Sequence, residues 1–335
     1  MTRRRPVLAA LLAAAMALAA PTPSATAAPS AVAQAWQNEV IYLIMTDRFY
    51  NGDRTNDFKV RPNDPHGFHG GDLEGVIRKL DYIKDLGATA IWLTPIVDNQ
   101  DNAFLDQYWG YHGYWIQDFE KVEEHLGTEA TYKRLVDEAH KRGLKVIMDV
   151  VANHVGYDAP VTKDESFKDW FHHNGSISNW EDPYENENFD LAGLPDFNTE
   201  NKEVLEFHEE VWGDWIKRTG LDGFRIDTVR HVPRPFWIRF NETMRKTGGD
   251  KFLLLGEVSY HTPEALAPYI TEAKFDSLFD FPLSFALVDV FAKGQSMRLL
   301  DQRLKEDGRY PDAKMLTTFL DNHDYPRFLT VAGGD

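Results

Sequence analysis

The sequence predicts an α/β fold: a closed barrel of parallel strands with helices on the outside. Three observations carry this. From Trp36 onward, apolar runs of strand length alternate with amphipathic helical runs, the pattern of a parallel sheet covered by helices. Polar residues gather where those runs end. Asp149, Asn153 and His154 close the third, Arg225 and Asp227 the fourth, Glu257 the fifth, and His323 and Asp324 the seventh. In a closed barrel these ends share one rim, where reactive groups converge. The competing architecture, a doubly wound open sheet, requires a glycine-rich phosphate loop after the first strand, and the sequence has none there.

Taken in order, residues 1–27 read as a secretory leader. Arg3, Arg4 and Arg5 precede an apolar stretch from Val7 to Ala20, and Ala25-Thr26-Ala27 offers a small-residue cleavage site. The stretch is short for a membrane span, so we expect a secreted, extracellular protein with no membrane anchor after cleavage. The arginines also allow a twin-arginine export route. Ala28 to Ala35 shows no clear structure. Strand-length runs follow at Val40–Met45, Ala90–Leu93, Lys145–Val150, Gly223–Ile226, Phe252–Leu255, Ser277–Phe281 and Met315–Leu320.

Leu73, Val76, Ile77, Leu80, Ile83 and Leu86 make one helical face between these runs; Val204, Phe207, Val211, Trp215 and Ile216 make another. Gly87, Gly143, Gly220 and Gly248 each follow a helical pattern, where a left-handed residue is wanted. Thr262-Pro263 reads as an N-cap followed by proline at the first helical position.

Two stretches break the rhythm. Residues 51–71 form a polar loop. From Asn153 to Thr199 there is no sustained periodicity but much Asp, Asn, Trp and His. This is read as a small lobe, residues 154–199, inserted after the third strand. It divides the barrel into residues 28–153 and 200–335. Seven runs are counted where a closed barrel has eight strands. We therefore expect a chain truncated before the eighth strand, with exposed sheet edges. We also expect these 335 residues, expressed alone, to be poorly soluble and nearly inactive.

The net charge of −17 argues against nucleic-acid or anionic-membrane partners, which need a basic field. A neutral polysaccharide is compatible with it. There is no cysteine, so an exported protein must stand without disulfides. The carboxylate excess suits bound calcium.

Breaking a glycosidic bond takes two carboxyl groups: one protonates the leaving oxygen and, in retaining enzymes, the other attacks the anomeric carbon. Asp227 and Glu257 end adjacent strands and can face one sugar. Arg225 shares a strand face with Asp227, and its guanidinium should keep Asp227 ionised as a nucleophile. Glu257 must hold its proton, which requires a raised pKa. Asp324 is a third carboxylate, and His154 and His323 can donate to sugar hydroxyls. Singly, a strand-end acid is more often a helix cap or a surface charge. Here they occur together, each at a strand end.

These segments resemble a known family. Asp149-Val-Val-Ala-Asn-His154, Gly223-Phe-Arg-Ile-Asp-Thr-Val-Arg-His231, Gly256-Glu-Val258 and Phe319-Leu-Asp-Asn-His-Asp324 are similar, in order, to the four signature segments of the α-amylase family. Leu194-Pro-Asp-Phe-Asn198 resembles a fifth, in the lobe that the family calls its B domain. Tyr111-His-Gly-Tyr-Trp115 resembles the segment that stacks a tyrosine on the sugar. The likeness runs from about Trp36 to the end of the chain. It implies a (β/α)8 TIM barrel that continues, in the family, into an eighth strand and a C-terminal β-sandwich domain.

By position, the resemblance implies Asp227 as nucleophile, Glu257 as acid/base and Asp324 as transition-state stabiliser. It assigns Arg225, His112, Tyr114, His154 and His323 to the sugar at the cleavage site. Arg230 and His231 fall on the leaving-group side, where the family often has lysine in place of Arg230. It implies a calcium ion held by Asn153, Asp196 and the His231 carbonyl, clamping the lobe to the barrel. Asn51, Asp53, Asn56, Asp57, Gly70 and Asp72 resemble a second calcium site of some members; an Asx-rich turn is the alternative.

The function implied is endo-hydrolysis of α-1,4-glucans by a retaining double displacement, by a monomer. A transglycosylating or cyclodextrin-active relative is the alternative: Phe189 stands where cyclodextrin glucanotransferases carry a bulky aromatic, or it is an ordinary lobe-core residue. A non-catalytic binding member would lack catalytic carboxylates, and none is missing.

Overall fold

The computed structural model describes residues 29–100 and 102–334. The expected leader, residues 1–27, lies outside the described residues. Ala31–Trp36 is a short helix rather than an unstructured leader. Its signals are local: Ser30 caps it through Ala33 N at 3.2 Å, and Trp36 is buried, its Nε1 donating to the Lys251 carbonyl at 2.8 Å.

Eight strands are formed among the described residues: β1 (Ile41–Ile44), β2 (Ala90–Leu93), β3 (Val97–Asn99), β4 (Ile116–Val122), β5 (Lys145–Val150), β6 (Gly223–Ile226), β7 (Leu253–Gly256) and β8 (Ser277–Leu278). Six of them make one sheet in the order β1-β2-β5-β6-β7-β8, every pair parallel. β3 and β4 form a separate irregular antiparallel pair. The seventh expected strand is not formed. Met315–Leu320 touches the sheet through one bridge, Thr317 to Phe279, after a 3-10 turn at Ala313–Met315. Thr317 exchanges backbone bonds with Leu278 and Asp280, and Phe319 then leaves the sheet to pack on Phe279 and Phe281. Pairing through one residue does not hold a strand. A cavity of about 500 Å³ lies here, lined by Ile41 and Leu43 on one side and Met315–Phe319 on the other.

Strand alternation sorts the core into two layers. Ile91, Leu93, Val146, Met148, Val150 and Leu254 pack outward against the helices. Ala90, Trp92, Ile147, Leu253 and Leu255 pack inward, closed from below by Val32, Ala33 and Trp36. Each fully buried Val, Leu or Ile contributes about 1.5–3 kcal/mol, so the outer layer holds the helices on. On Leu73–Asp85 the buried face is Leu73, Val76, Leu80 and Ile83; Leu86, expected on it, is exposed because it caps the helix end. Gly87, Gly143 and Gly220 all have positive φ, as expected; for Gly248 the role passes to Gly249 (φ +83). Pro263 does open its helix, with Thr262 in an extended cap conformation. The run Ser277–Phe281 ends early: Asp280 caps a new helix, Phe281–Leu287, by accepting from Leu283 N, with Pro282 in its first turn.

The stretch after β5 holds 3-10 turns and one short helix, Pro183–Asn188. Its two ends pair with each other: His154 bridges Asp196, and Phe197 N donates to the Asn153 carbonyl at 2.8 Å. That pairing brings Asn153 and Asp196 together.

Candidate active site

The inward parity of the sheet builds the site. Cα register pairs Asp149 with Arg225 and Arg225 with Leu255. One step further along, Asp227 N donates to the Val150 carbonyl and Glu257 N to the Ile226 carbonyl, both at 2.9 Å. Asp149, Arg225, Asp227 and Glu257 therefore project to the same interior, at the C-terminal rim.

Arg225 is 1% exposed and ties them together. Its Nη1 lies 2.7 Å from Asp227 Oδ1 and 2.9 Å from Asp149 Oδ1, and its Nη2 lies 2.9 Å from Glu257 Oε2. Glu257 Oε2 also accepts from Thr228 N at 3.0 Å. Thr228 reaches that position with φ +47, left-handed for a β-branched residue and therefore strained. Asp324, with a half-exposed side chain, forms the open wall beside His323.

Burial raises the pKa of Glu257; Arg225 opposes this and Asp227 adds to it. The outcome at Asp227 differs from the expectation. Burial pushes it up as well, and Arg225 only opposes that rise rather than producing a net depression. Asp324 is pushed up to about 6 by desolvation and by Glu257.

The aromatic wall comes from the segment between β3 and β4. The Tyr114 hydroxyl donates to Asp149 Oδ2 at 2.8 Å and meets His323 Nε2 at 3.0 Å, so His323 carries its proton on Nε2. The Tyr114 and His323 rings lie nearly parallel, 5.6 Å apart. His112 Nδ1 accepts from Tyr114 N, and His154 Nε2 donates to the Tyr114 carbonyl. Desolvation drives His112 down to about 3 and His154, His231 and His323 to about 4. All four are neutral hydrogen-bonding groups near pH 7.

Arg230 and His231 are engaged with the lobe. Arg230 Nη2 donates to Asn186 Oδ1 at 2.8 Å, and its guanidinium lies 4.8 Å from the Tyr260 ring. His231 Nδ1 donates to the Asn186 carbonyl at 3.0 Å. Sequence reasoning passed over Asn186, Trp92 and the part Asp149 plays. The signal for Asp149 was a carboxylate within an otherwise apolar strand.

Two oxygen clusters test the expected calcium. The Asn153 side-chain oxygen faces the Asp196 Oδ1 at 3.2 Å and the His231 carbonyl at 2.9 Å. Three oxygens so disposed repel one another unless the amide turns over or a cation sits among them, so this donor set fits calcium. Burial raises Asp196 to about 7, with the His172 hydrogen bond at 2.6 Å opposing. In the second cluster Asn51 Nδ2 donates to Asp57 Oδ1 at 2.7 Å, and a Cβ on Gly70 would lie 2.7 Å from that same oxygen. The buried Asn51 Oδ1 and Asn56 Oδ1 have no hydrogen-bond partner, which also fits a cation. Asp53 and Asp72 are engaged otherwise: Asp53 caps Thr55, and Asp72 accepts from Gly52, Asp53 and Gly75 backbone N–H groups. A third acidic group, Asp98, Glu123 and Glu124, was not singled out from sequence; Glu123 accepts from Asn99 N and from His125.

The model of the α-amylase catalytic domain matches residues 43–335. A β/α-amylase of Paenibacillus polymyxa is 38% identical over 323 residues, covering 91% of this chain and 25% of its own length. An α-amylase of Anoxybacillus superposes with a TM-score of 0.83 at 48% identity, over 89% of this chain and 64% of that one. A cyclomaltodextrin glucanotransferase superposes with a TM-score of 0.81 at 35% identity, over 88% and 66%. The chain spans between a quarter and three-fifths of the length of the curated relatives it matches. On this match and on its parallel barrel sheet, the chain belongs to the α-amylase family.

Proposed function

We propose that this protein hydrolyses internal α-1,4-glucosidic bonds of starch-like glucans with retention of configuration. One observation carries the reading: a single buried guanidinium binds both Asp227 and Glu257 at the rim, with Asp324 across the opening. Glu257, whose pKa burial raises, protonates the glycosidic oxygen. Asp227, paired to Arg225, attacks the anomeric carbon and forms the glycosyl ester. Glu257, now ionised, takes a proton from water as the water oxygen attacks the anomeric carbon, which breaks the ester, releases the sugar and returns Asp227 to its carboxylate. Asp324 steadies the positive charge that develops on the ring. Neutral His112, His154 and His323 hold sugar hydroxyls, and the Tyr114 ring stacks on the sugar face. Arg230 and His231 serve the leaving-group side.

Calcium belongs to this reading as a structural ion. Asn153, Asp196 and the His231 carbonyl would hold it between lobe and barrel; Asn51, Asn56, Asp57 and the Gly70 backbone would hold a second. When bound it supplies fixed positive charge among converging oxygens. Secretion rests on the leader pattern at residues 1–27, and among the described residues no helix is long and apolar enough to cross a membrane.

A transglycosylating or cyclodextrin-active enzyme is the second reading. It is favoured by Phe189, half-buried with its ring edge-on to the exposed Tyr184 at 6.1 Å. Chromatograms of products from starch, pullulan and cyclodextrin, taken side by side with the native protein, separate the two. Linear oligosaccharides from starch support hydrolysis. Cyclic products, or cleavage of cyclodextrin in preference to starch, support the alternative. No cleavage of any of the three overturns both.

A further inference from the structure

Beneath the two carboxylates just assigned lies one that the proposed mechanism leaves without a role. Asp149, on β5, is 0% exposed. Its Oδ1 accepts from Arg225 Nη1 at 2.9 Å. Its Oδ2 accepts from Trp92 Nε1 at 2.9 Å and from the Tyr114 hydroxyl at 2.8 Å, with Arg225 Nη1 at 3.1 Å. Burial pushes the Asp149 carboxyl up and the Arg225 guanidinium opposes this, but Trp92 and Arg225 can only donate, so the acceptor-only, ionised carboxylate is the form that satisfies every partner.

Arg225 thus stands among three buried carboxylates with a single positive charge. With Asp149 and Asp227 ionised, that charge is already over-balanced. Ionising Glu257 would place a third negative charge around the same guanidinium, in a setting where like charges cannot be well screened. Without the Asp149 charge, the guanidinium would be free to hold Glu257 as a carboxylate.

We propose that Asp149 is a positioning and charge-balancing residue: it fixes Arg225 and Tyr114 in place and occupies part of the guanidinium, so that Glu257 keeps its proton for the leaving group. The groups facing Glu257 are Arg225, Asp227, Asp324 and His323. Those facing Asp149 are Arg225, Tyr114 and Asp227. Asp149 is the carboxylate furthest from the opening, and Trp92 Nε1 aims it. This inference rests on the glycosidase reading above and deepens it.

The test is the pH profile of Asp149→Asn in the native protein, with the unaltered protein measured in parallel. Two substrates are used: a maltooligosaccharide, and an aryl maltoside whose leaving group departs without protonation. For the maltooligosaccharide, the basic limb of kcat/KM should move to lower pH by roughly half to one unit. Near pH 7, kcat should fall by up to about three- to tenfold on that substrate and clearly less on the aryl maltoside. An unmoved basic limb, or an equal loss on both substrates, overturns the inference and leaves Asp149 a packing residue. Absence of glucan cleavage by the unaltered protein overturns the glycosidase reading instead. If Asp149→Asn does not fold, Trp92→Phe removes one donor from the Asp149 carboxylate and keeps its charge. With that charge kept and less compensated, the basic limb should hold its position or move to slightly higher pH, and a move to lower pH overturns the inference.

Discussion

Arg225→Lys isolates the shared guanidinium that holds the site. The arginine reaches Asp149 and Asp227 through Nη1 and Glu257 through Nη2. A lysine ammonium is a single point and cannot span both ends of that fork. The charge stays, so the buried carboxylates keep a counter-ion and the fold should survive. Complete loss of charge, as in Arg225→Leu, would leave carboxylates unpaired in the interior, at a cost of about 3–5 kcal/mol. The lysine variant should lose about one charge-assisted hydrogen bond, worth about 1.5–3 kcal/mol. If that bond is made in the transition state, kcat falls roughly ten- to 150-fold, at about 1.4 kcal/mol per factor of ten. The assay is steady-state kcat on an end-blocked maltoheptaose, with thermal unfolding followed on the same samples. A variant that melts like the native protein and keeps kcat within about threefold would refute the shared-guanidinium reasoning.

Three further outcomes follow from the same geometry. Asp227→Asn is close to isosteric and should abolish turnover with little change in melting; near-normal hydrolysis by it would remove Asp227 from the nucleophile's role. Chelation should lower the melting temperature and calcium should restore it, because a metal that binds only the folded state stabilises by mass action; Asp196→Ala should blunt that response, and a chelator-insensitive melt would count against the ion. His208 is 0% exposed with neither ring nitrogen hydrogen-bonded, ringed by Phe119, Phe197, Phe207 and Phe236, and burial lowers its pKa to about 3. Because the unfolded chain binds that proton near pH 6.5 and the folded one only near 3, its neutral form favours folding above 6.5, and stability falls as pH drops between the two; His208→Phe should flatten the melting temperature over that range, and an unchanged acid slope would show that other groups govern it.

The legible parts of this chain share a physical cause. β2, β5 and β6 were readable to the residue because each is buried on both faces, so the apolar run and the strand coincide. The β3 and β4 pair was not, since sixteen residues separate its strands and no tight-turn signal marks it. Met315–Leu320 has the composition of a strand, but strand formation depends on a neighbour, and only Thr317 finds one. At Phe281 the apolar run hid a helix whose signals, Asp280 and Pro282, are both in the sequence. In the site, alternation alone put Arg225 and Asp227 on one face. What it could not supply is depth: that Asp149 would lie beneath the guanidinium, that Trp92 would turn its N–H to it, or that burial would outweigh Arg225 at Asp227. Those depend on which strands adjoin and how far each projects into the rim.

The most direct test of the account is the anomeric form of the first-released product. Two carboxylates held by one arginine, one attacking and one protonating, imply two inversions at the anomeric carbon. Proton NMR of an early starch digest by the native protein should show the α-anomer ahead of mutarotation; the β-anomer appearing first would contradict a covalent intermediate on Asp227.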